Sequence, residues 1–347
     1  MNQINKAVKS RSALYVLFIV ATLAASGCAT NQSGTSAYTD FGYYANHTNS
    51  QMIRQQIQGA FQSVLRIQSN VIYRTYQFYI DDMPNRSEVL GRDLEDISVD
   101  SYIDDQSTAG TAIVVSGVRD RFTLLTAAHT VNFPDTVWHY SRNSIDSDDP
   151  QVEAVSVRRS TNHFVLMDNG IIKLDLVLSD AVRDLAVMTN NRRTRNDLLV
   201  PLRIPLGNSD RLEFGDLVYA LGYPKGAKMV TTGTASRSEN PRRSIIIDAS
   251  FNRGFSGGAV FGVRNNGSGL EMLGVVTSAL GETETYLTPE RAEFEDYNPE
   301  VPYRGELYVR QVPRINYGIT NAVDIEEIRA FFRENASRLN RMGLSVP

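Results

Sequence analysis

The chain has 347 residues, 42% of them hydrophobic, enough to bury one large core or two moderate ones, which excludes a wholly disordered protein. Its 39 acidic and 35 basic residues give a formal net charge of -4, and no Lys/Arg run lies beyond the extreme N-terminus, so no nucleic-acid footprint is visible. A single cysteine excludes a disulfide framework.

In chain order, Lys6, Lys9 and Arg11 precede the apolar run from Ala13 to Ala21, and small residues then lead into Ser26, Gly27 and Cys28. This is the layout of an export signal, and its apolar run falls short of the roughly 20 residues that a membrane-spanning helix needs. The ending Ala24-Ala25-Ser26-Gly27-Cys28 resembles the lipobox of bacterial lipoproteins, with Ala25 where Leu is usual. The resemblance implies that residues 1–27 are a lipoprotein signal peptide and that Cys28 is acylated and becomes the mature N-terminus. Ala29, rather than Asp, after the cysteine implies the outer membrane, with the protein facing the periplasm. Lipidation would also account for an unpaired cysteine in an exported protein. Residues 28–50, rich in Ser, Thr, Asn and Gly, read as a flexible tether spanning roughly 25 Å.

Residues 51–62 predict a short helix with Ile53, Ile57, Ala60 and Phe61 on one face. Beyond it come short β-branched or aromatic runs such as TAIVVSG, FTLLTAAH, DLVYALG, RSIIIDAS and MLGVVTS, separated by Gly, Asn, Asp and Pro. The expectation is an all-β architecture, sandwich or barrel. Residues 81–107, acidic, and 139–163, without clear periodicity, read as solvated surface insertions. A helical period returns over 323–339, where Val323, Ile325, Ile328, Phe331, Phe332 and Leu339 share a stripe. A terminal helix over 321–340 is expected to pack on the last barrel of a domain covering 51–340.

Three local patterns carry chemistry. Asn252-Arg253-Gly254-Phe255-Ser256-Gly257-Gly258 is a glycine-rich turn around one serine that enters an apolar strand. Such a turn can aim backbone N–H groups at a developing oxyanion, and the amides of Gly254 and Ser256 are the candidate donors. The strand Phe122–Ala128 delivers His129, a candidate base, since a serine hydroxyl becomes a good nucleophile only when an imidazole takes its proton. Asp184, directly before the apolar run Leu185–Met188, is suited to hold that imidazole's tautomer, with Asp175 and Asp180 as nearby rivals.

The order His129, Asp184, Ser256 within TAAH, RDLAV and GFSGG resembles the chymotrypsin-like serine proteases, and the order excludes α/β-hydrolase and subtilisin plans. More of the chain is similar to the bacterial HtrA branch: Gly110–Val114, Gly207–Asp210, Gly215–Pro224, Gly274–Thr277 and Asn316–Val323. The resemblance covers roughly residues 60–335 and implies two six-stranded antiparallel β-barrels with the triad His129, Asp184 and Ser256 between them. It further places Ser250 at the base of the primary pocket with Phe251 beside it, and gives Thr277, Ser278 and Ala279 as an edge for extended substrate. With no acidic residue there, small to medium aliphatic side chains are the expected fit.

The chain also departs from that pattern. No peptide-binding PDZ module fits after the terminal helix, and Phe255 stands where Asn or Asp is usual. A polar brace for the oxyanion loop is therefore missing, and activation by N-terminal cleavage is not expected. No HExxH motif, cysteine cluster or phosphate-cradling loop is present, so neither metal nor organic cofactor is expected. The reading is an envelope serine endopeptidase acting on unfolded or specific polypeptides, held to the membrane through Cys28. HtrA relatives are often trimers, but no interface is identifiable. The rival, motivated by Phe255, is a catalytically idle protease-fold lipoprotein that binds peptides or acts as a chaperone.

Overall fold

The computed structural model describes residues 51–118, 120–141, 144, 147–168, 170–191, 199–237, 244–265, 269–288, 308–345 and 347; side chains are not described at 237, 278–284, 308 and 310–317. The expected signal peptide, the tether and Cys28 lie outside the described residues. Helix α1 (Gln51–Ala60) opens the described chain, burying Ile53 and Ala60. Thirteen strands follow: β1 (Val64–Gln77), β2 (Asp100–Val118), β3 (Arg121–Ala127), β4 (Thr136–Tyr140), β5 (Val152–Met167), β6 (Gly170–Asp180), β7 (Leu185–Asn190), β8 (Leu217–Gly222), β9 (Met229–Arg237), β10 (Ser244–Asp248), β11 (Ala259–Val263), β12 (Leu270–Thr288) and β13 (Tyr308–Asp324). Two four-residue helices, α2 (Arg86–Val89) and α3 (Leu94–Ile97), interrupt the β1–β2 connection, and α4 (Ile325–Arg341) ends the fold.

Strands β8 to β13 form a closed six-stranded barrel in the order β10-β13-β12-β11-β8-β9. The first seven form one antiparallel sheet, β1-β2-β3-β7-β6-β5-β4, which an additional β1–β5 pairing folds back on itself. The fold is thus all-β with two barrel-like units and a terminal helix. The expectation of six strands per unit is exceeded in the first by β4, which pairs only with the outer part of β5.

The strand runs look continuously apolar because both of their faces are buried. Along β3, Leu124 enters the core of the first unit while Leu125 joins a second apolar layer; Ala186 and Met188 of β7 alternate in the same way with Leu185 and Val187. In the closed barrel, Val260 of β11 points to the barrel core, and Ala259, Phe261 and Val263 point to that shared layer. Helix α4 caps it with Ile325, Ile328, Phe331, Phe332 and Leu339, each worth about 1.5–3 kcal/mol when fully buried. The Asp324 carboxylate caps the helix by accepting from the Glu327 amide, and Arg338 and Arg341 favour the opposite dipole end.

Of the two segments read as surface insertions, residues 100–107 and 152–163 are ladder strands. Residues Asp100–Ala109 of β2 pair with Gln68–Gln77 of β1, and β5 pairs with β1, β4 and β6. Their polar side chains face solvent or each other, as in the buried Thr75–Ser156 hydroxyl pair at 2.8 Å. Backbone hydrogen bonding holds them regardless of side-chain polarity.

Candidate active site

Strand β3 ends in Ala127 and Ala128, both buried, and their small volume lets the chain turn tightly through Ala128–Thr130 and release His129 at the surface. Thr130 fixes the turn by donating from Oγ1 to the Ala127 carbonyl at 2.7 Å. The imidazole is 45% exposed, which leaves one ring edge open.

Asp184 meets this ring; neither Asp175 nor Asp180 does. Its Oδ2 lies 2.8 Å from His129 Nδ1, its Oδ1 accepts from the His129 amide at 2.9 Å, and its carbonyl accepts from the Ala128 amide at 3.1 Å. A carboxylate facing Nδ1 makes that nitrogen the N–H donor and leaves Nε2 as the acceptor, the form a general base requires. Asp184 has φ 54°, a left-handed conformation that costs a non-glycine residue about 1–2 kcal/mol. The three contacts to residues 128 and 129 account for its persistence.

The serine turn links β10 to β11. Three successive carbonyls are held: Arg253 O by the Lys225 amide at 2.9 Å, Gly254 O by the Thr111 hydroxyl at 2.7 Å, and Phe255 O by the Gly258 amide at 2.7 Å. In a trans peptide the N–H points opposite to its C=O, so holding Arg253 O and Phe255 O directs the amides of Gly254 and Ser256 to the other side. Among the described residues, neither of these amides has a protein acceptor. Gly254 has φ +104°, and a Cβ there would lie 2.5 Å from the Tyr223 carbonyl. At Gly257, φ is +85° and a Cβ would lie 1.9 Å from the Thr111 carbonyl.

Phe255 is only 1% exposed and packs its ring on Phe251 with centroids 4.5 Å apart. Gly222 makes room for it, since a Cβ there would lie 2.6 Å from the ring. The missing polar brace is thus replaced by an apolar anchor in the barrel core. Thr111, to which the sequence analysis gave no role, connects the two units: its amide donates to Ser256 O at 2.8 Å, its Oγ1 accepts from the Tyr223 amide at 3.0 Å, and its carbonyl accepts from Thr126 Oγ1 at 2.7 Å.

A cavity of about 630 Å³ holds His129, Phe251, Gly254, Ser256, Val276 and Thr277 on its walls. The Ser256 hydroxyl donates to the Thr277 carbonyl at 3.1 Å, and no hydrogen bond joins it to His129. Ser250 is exposed and does not line the cavity, a correction to its expected place at the pocket base: it follows β10 at a position facing solvent, while Phe251 turns inward. Ser278 and Ala279 pair through their backbones with Asn321 and Thr320, and their side chains lie outside the described residues. Strand β11 accompanies β12 only as far as Val275, so among the described residues the other edge of β12 is unpaired from Thr277 onward. Beside the His129 imidazole, the described charged residues lining the cavity are Lys225 and Arg253, with no carboxylate among them.

Behind Asp184, the Arg183 guanidinium meets Asp180, Glu327 and Glu334. Hydrogen bonds to Glu327 and Asp180 push the Arg183 pKa up. Burial alone would raise Asp180, but hydrogen bonds from the Arg183 amide and guanidinium and from the Val182 amide outweigh it and hold the carboxyl below its ordinary range.

A closed β-barrel and a barrel-like sheet together bring a serine turn and the ring of a His–Asp pair to one cavity. Residues 110–270 match the family described as Trypsin-like peptidase domain. Two curated serine endoproteases are similar to part of the chain. The "Probable periplasmic serine endoprotease DegP-like" of Buchnera aphidicola subsp. Baizongia pistaciae is 30% identical over 140 residues, covering 35% of this chain and 29% of that protein. The "Serine endoprotease DegS" of Haemophilus influenzae is 35% identical over 129 residues, covering 34% of this chain and 35% of that one. The chain thus matches only 29% to 35% of the length of these curated relatives. Among solved structures, the serine endoprotease from Yersinia pestis is similar at 22% identity and a TM-score of 0.41, covering 86% of this chain and 69% of that one.

Proposed function

We propose that the chain is a serine endopeptidase of the bacterial cell envelope that cleaves exposed segments of polypeptides through an acyl-enzyme. The observation that carries this reading is the His129–Asp184 contact at 2.8 Å, with the His129 ring on the same cavity as Ser256 and two amides that have no protein acceptor among the described residues. For catalysis the Ser256 hydroxyl has to leave the Thr277 carbonyl for His129 Nε2, at the cost of one hydrogen bond worth about 1 kcal/mol. His129 then accepts the proton as the hydroxyl attacks a substrate carbonyl, and Asp184 stabilises the imidazolium. The amides of Gly254 and Ser256 receive the oxyanion, and His129 returns the proton to the leaving amine.

The edge of β12 that has no strand partner from Thr277 onward among the described residues suits an extended substrate, which would add as a further strand through sequence-independent backbone bonds. Phe251 and Val276 on an acid-free wall suit small aliphatic side chains at the cleaved residue. A cleft that takes a strand favours unfolded or flexible polypeptides. Attachment through a lipid at Cys28, with the domain in the periplasm, rests on the N-terminal sequence.

A second reading, a peptide-binding protein with an idle site, is favoured by the Ser256–Thr277 hydrogen bond. A fluorophosphonate probe separates the two. Labelling of the wild type but not of Ser256→Ala supports the enzyme, whereas a folded wild type that resists the probe supports the binder.

A further inference from the structure

Arg183 stands between the candidate triad and the terminal helix. All three of its guanidinium nitrogens meet carboxylates: Nε meets Glu327 at 2.5 Å, Nη1 meets Asp180 at 2.9 Å and Nη2 meets Glu334 at 2.8 Å. Glu327 and Glu334 are seven residues apart on one face of α4, whereas Asp180 ends β6. Oδ1 of Asp180 in turn accepts from the amides of Val182 and Arg183 at 2.9 and 3.0 Å. The turn that presents Asp184 in its left-handed conformation is thus tied from behind to a helix anchored by five buried apolar residues.

We propose that Arg183 is a positioning residue: through it, α4 holds the turn from Asp180 to Asp184 in the shape that aims the Asp184 carboxylate at His129. Two features argue against a mere surface staple. Isolated exposed ion pairs contribute little, but here one guanidinium, 25% exposed, carries three carboxylates from two separate elements. A cavity of about 640 Å³ also flanks the turn, lined by Asp180, Arg183, Glu334 and Arg338, so close packing does not hold the turn on that side. The ionic contacts take that role. The proposal rests on the peptidase reading for its kinetic arm and is independent of it for its spectroscopic arm.

The test compares wild type, Arg183→Ala, Arg183→Lys and Glu334→Gln in the full chain. A misplacement of about 1 Å in a catalytic group costs about 10²-fold, so Arg183→Ala is expected to lose about that much kcat with KM within twofold. Arg183→Lys keeps the charge but not the fork, and falls in between. The far-downfield proton resonance of His129 Nδ1–H is expected in the wild type and weakened or shifted in Arg183→Ala. A lowered Tm with unchanged kcat and an unchanged resonance overturns the proposal and leaves Arg183 as a helix staple. If Arg183→Ala does not fold, Glu334→Gln decides, since its half-exposed site tolerates the change: lower kcat at equal KM supports positioning, and wild-type kcat overturns it. A wild type that neither hydrolyses peptides nor takes a fluorophosphonate refutes the peptidase reading, while the Nδ1–H resonance still tests the role of Arg183.

Discussion

Thr111→Val removes one oxygen from the joint between the two units and leaves the volume nearly unchanged. That oxygen donates to Gly254 O at 2.7 Å and accepts from the Tyr223 amide at 3.0 Å, at a residue with no exposed surface. Each backbone group left unpaired in a buried position costs about 1–3 kcal/mol, so the variant should lose about 2–4 kcal/mol if one of the two finds partial compensation. The effect on rate has a separate origin. With Gly254 O released, the Gly254–Phe255 peptide, which lies between the two candidate donors, keeps only the bond from the Phe255 amide to Asn252 O, and the aim of the flanking amides loosens. Loss of one oxyanion donor lowers kcat by about 10²–10³, which bounds the effect. The assay is kcat and KM on a fluorogenic peptide, with urea unfolding in parallel to confirm that the variant is folded under assay conditions. Thr111→Ser, which keeps the hydroxyl and loses one methyl, should retain near wild-type kcat and lose about 1 kcal/mol of stability. Wild-type kcat in folded Thr111→Val would refute the reasoning, because the hydroxyl would then have no part in aiming the donor.

Gly257→Ala should abolish fluorophosphonate labelling, since the new Cβ would lie 1.9 Å from the Thr111 carbonyl at φ +85°; Gly91→Ala, with a similar φ of +82° but open space around it, should label normally and lose only about 1–2 kcal/mol. His163 should make the fold acid-sensitive: burial pushes its pKa down to about 4, with Asp175 opposing and Arg158 adding to the shift. The unfolded chain binds a proton near pH 6.5 and the folded chain near 4, so stability present above pH 6.5 is lost as pH falls toward 4, up to about 3.4 kcal/mol in total and about 2 kcal/mol by pH 5. Urea midpoints at pH 7.5 and pH 5 measure this. His163→Gln should flatten the difference, and an equal pH dependence in the variant would place the acid sensitivity elsewhere.

What was legible in the sequence was whatever a local backbone requirement had written into neighbouring residues. Ala127 and Ala128 announce a tight turn that releases His129, the glycines at 254 and 257 announce close approaches, and an aspartate before an apolar strand announces the turn to β7. Thr111 was not legible, because a threonine in GTAIVV reads as ordinary strand filler. Its partner Gly254 lies 143 positions further along the chain. The acidic part of β2 and the polar middle of β5 escaped notice because a ladder uses backbone groups that every sequence possesses. Ser250 was misplaced for a related reason: in a run that leaves a strand, which residue turns inward depends on the bend, and the bend places Phe251 inside.

The position of Phe255 changes how the oxyanion turn is held in shape. A polar or ionic brace beside the nucleophile can be made or broken by one proton or one cleavage. A ring buried to 1% exposure against Phe251 and Gly222 has no such handle. The carbonyls at 253, 254 and 255 are meanwhile fixed by Lys225, Thr111 and Gly258, and one of these three partners belongs to the first unit. The donor geometry is therefore a consequence of docking the two units, and His129 and Asp184 are delivered by the unit that supplies Thr111. Any control over such a site has to act on that docking or on the turn behind Asp184, because the serine turn is held in shape by a buried ring and by backbone hydrogen bonds, with no ion pair among those braces to be switched.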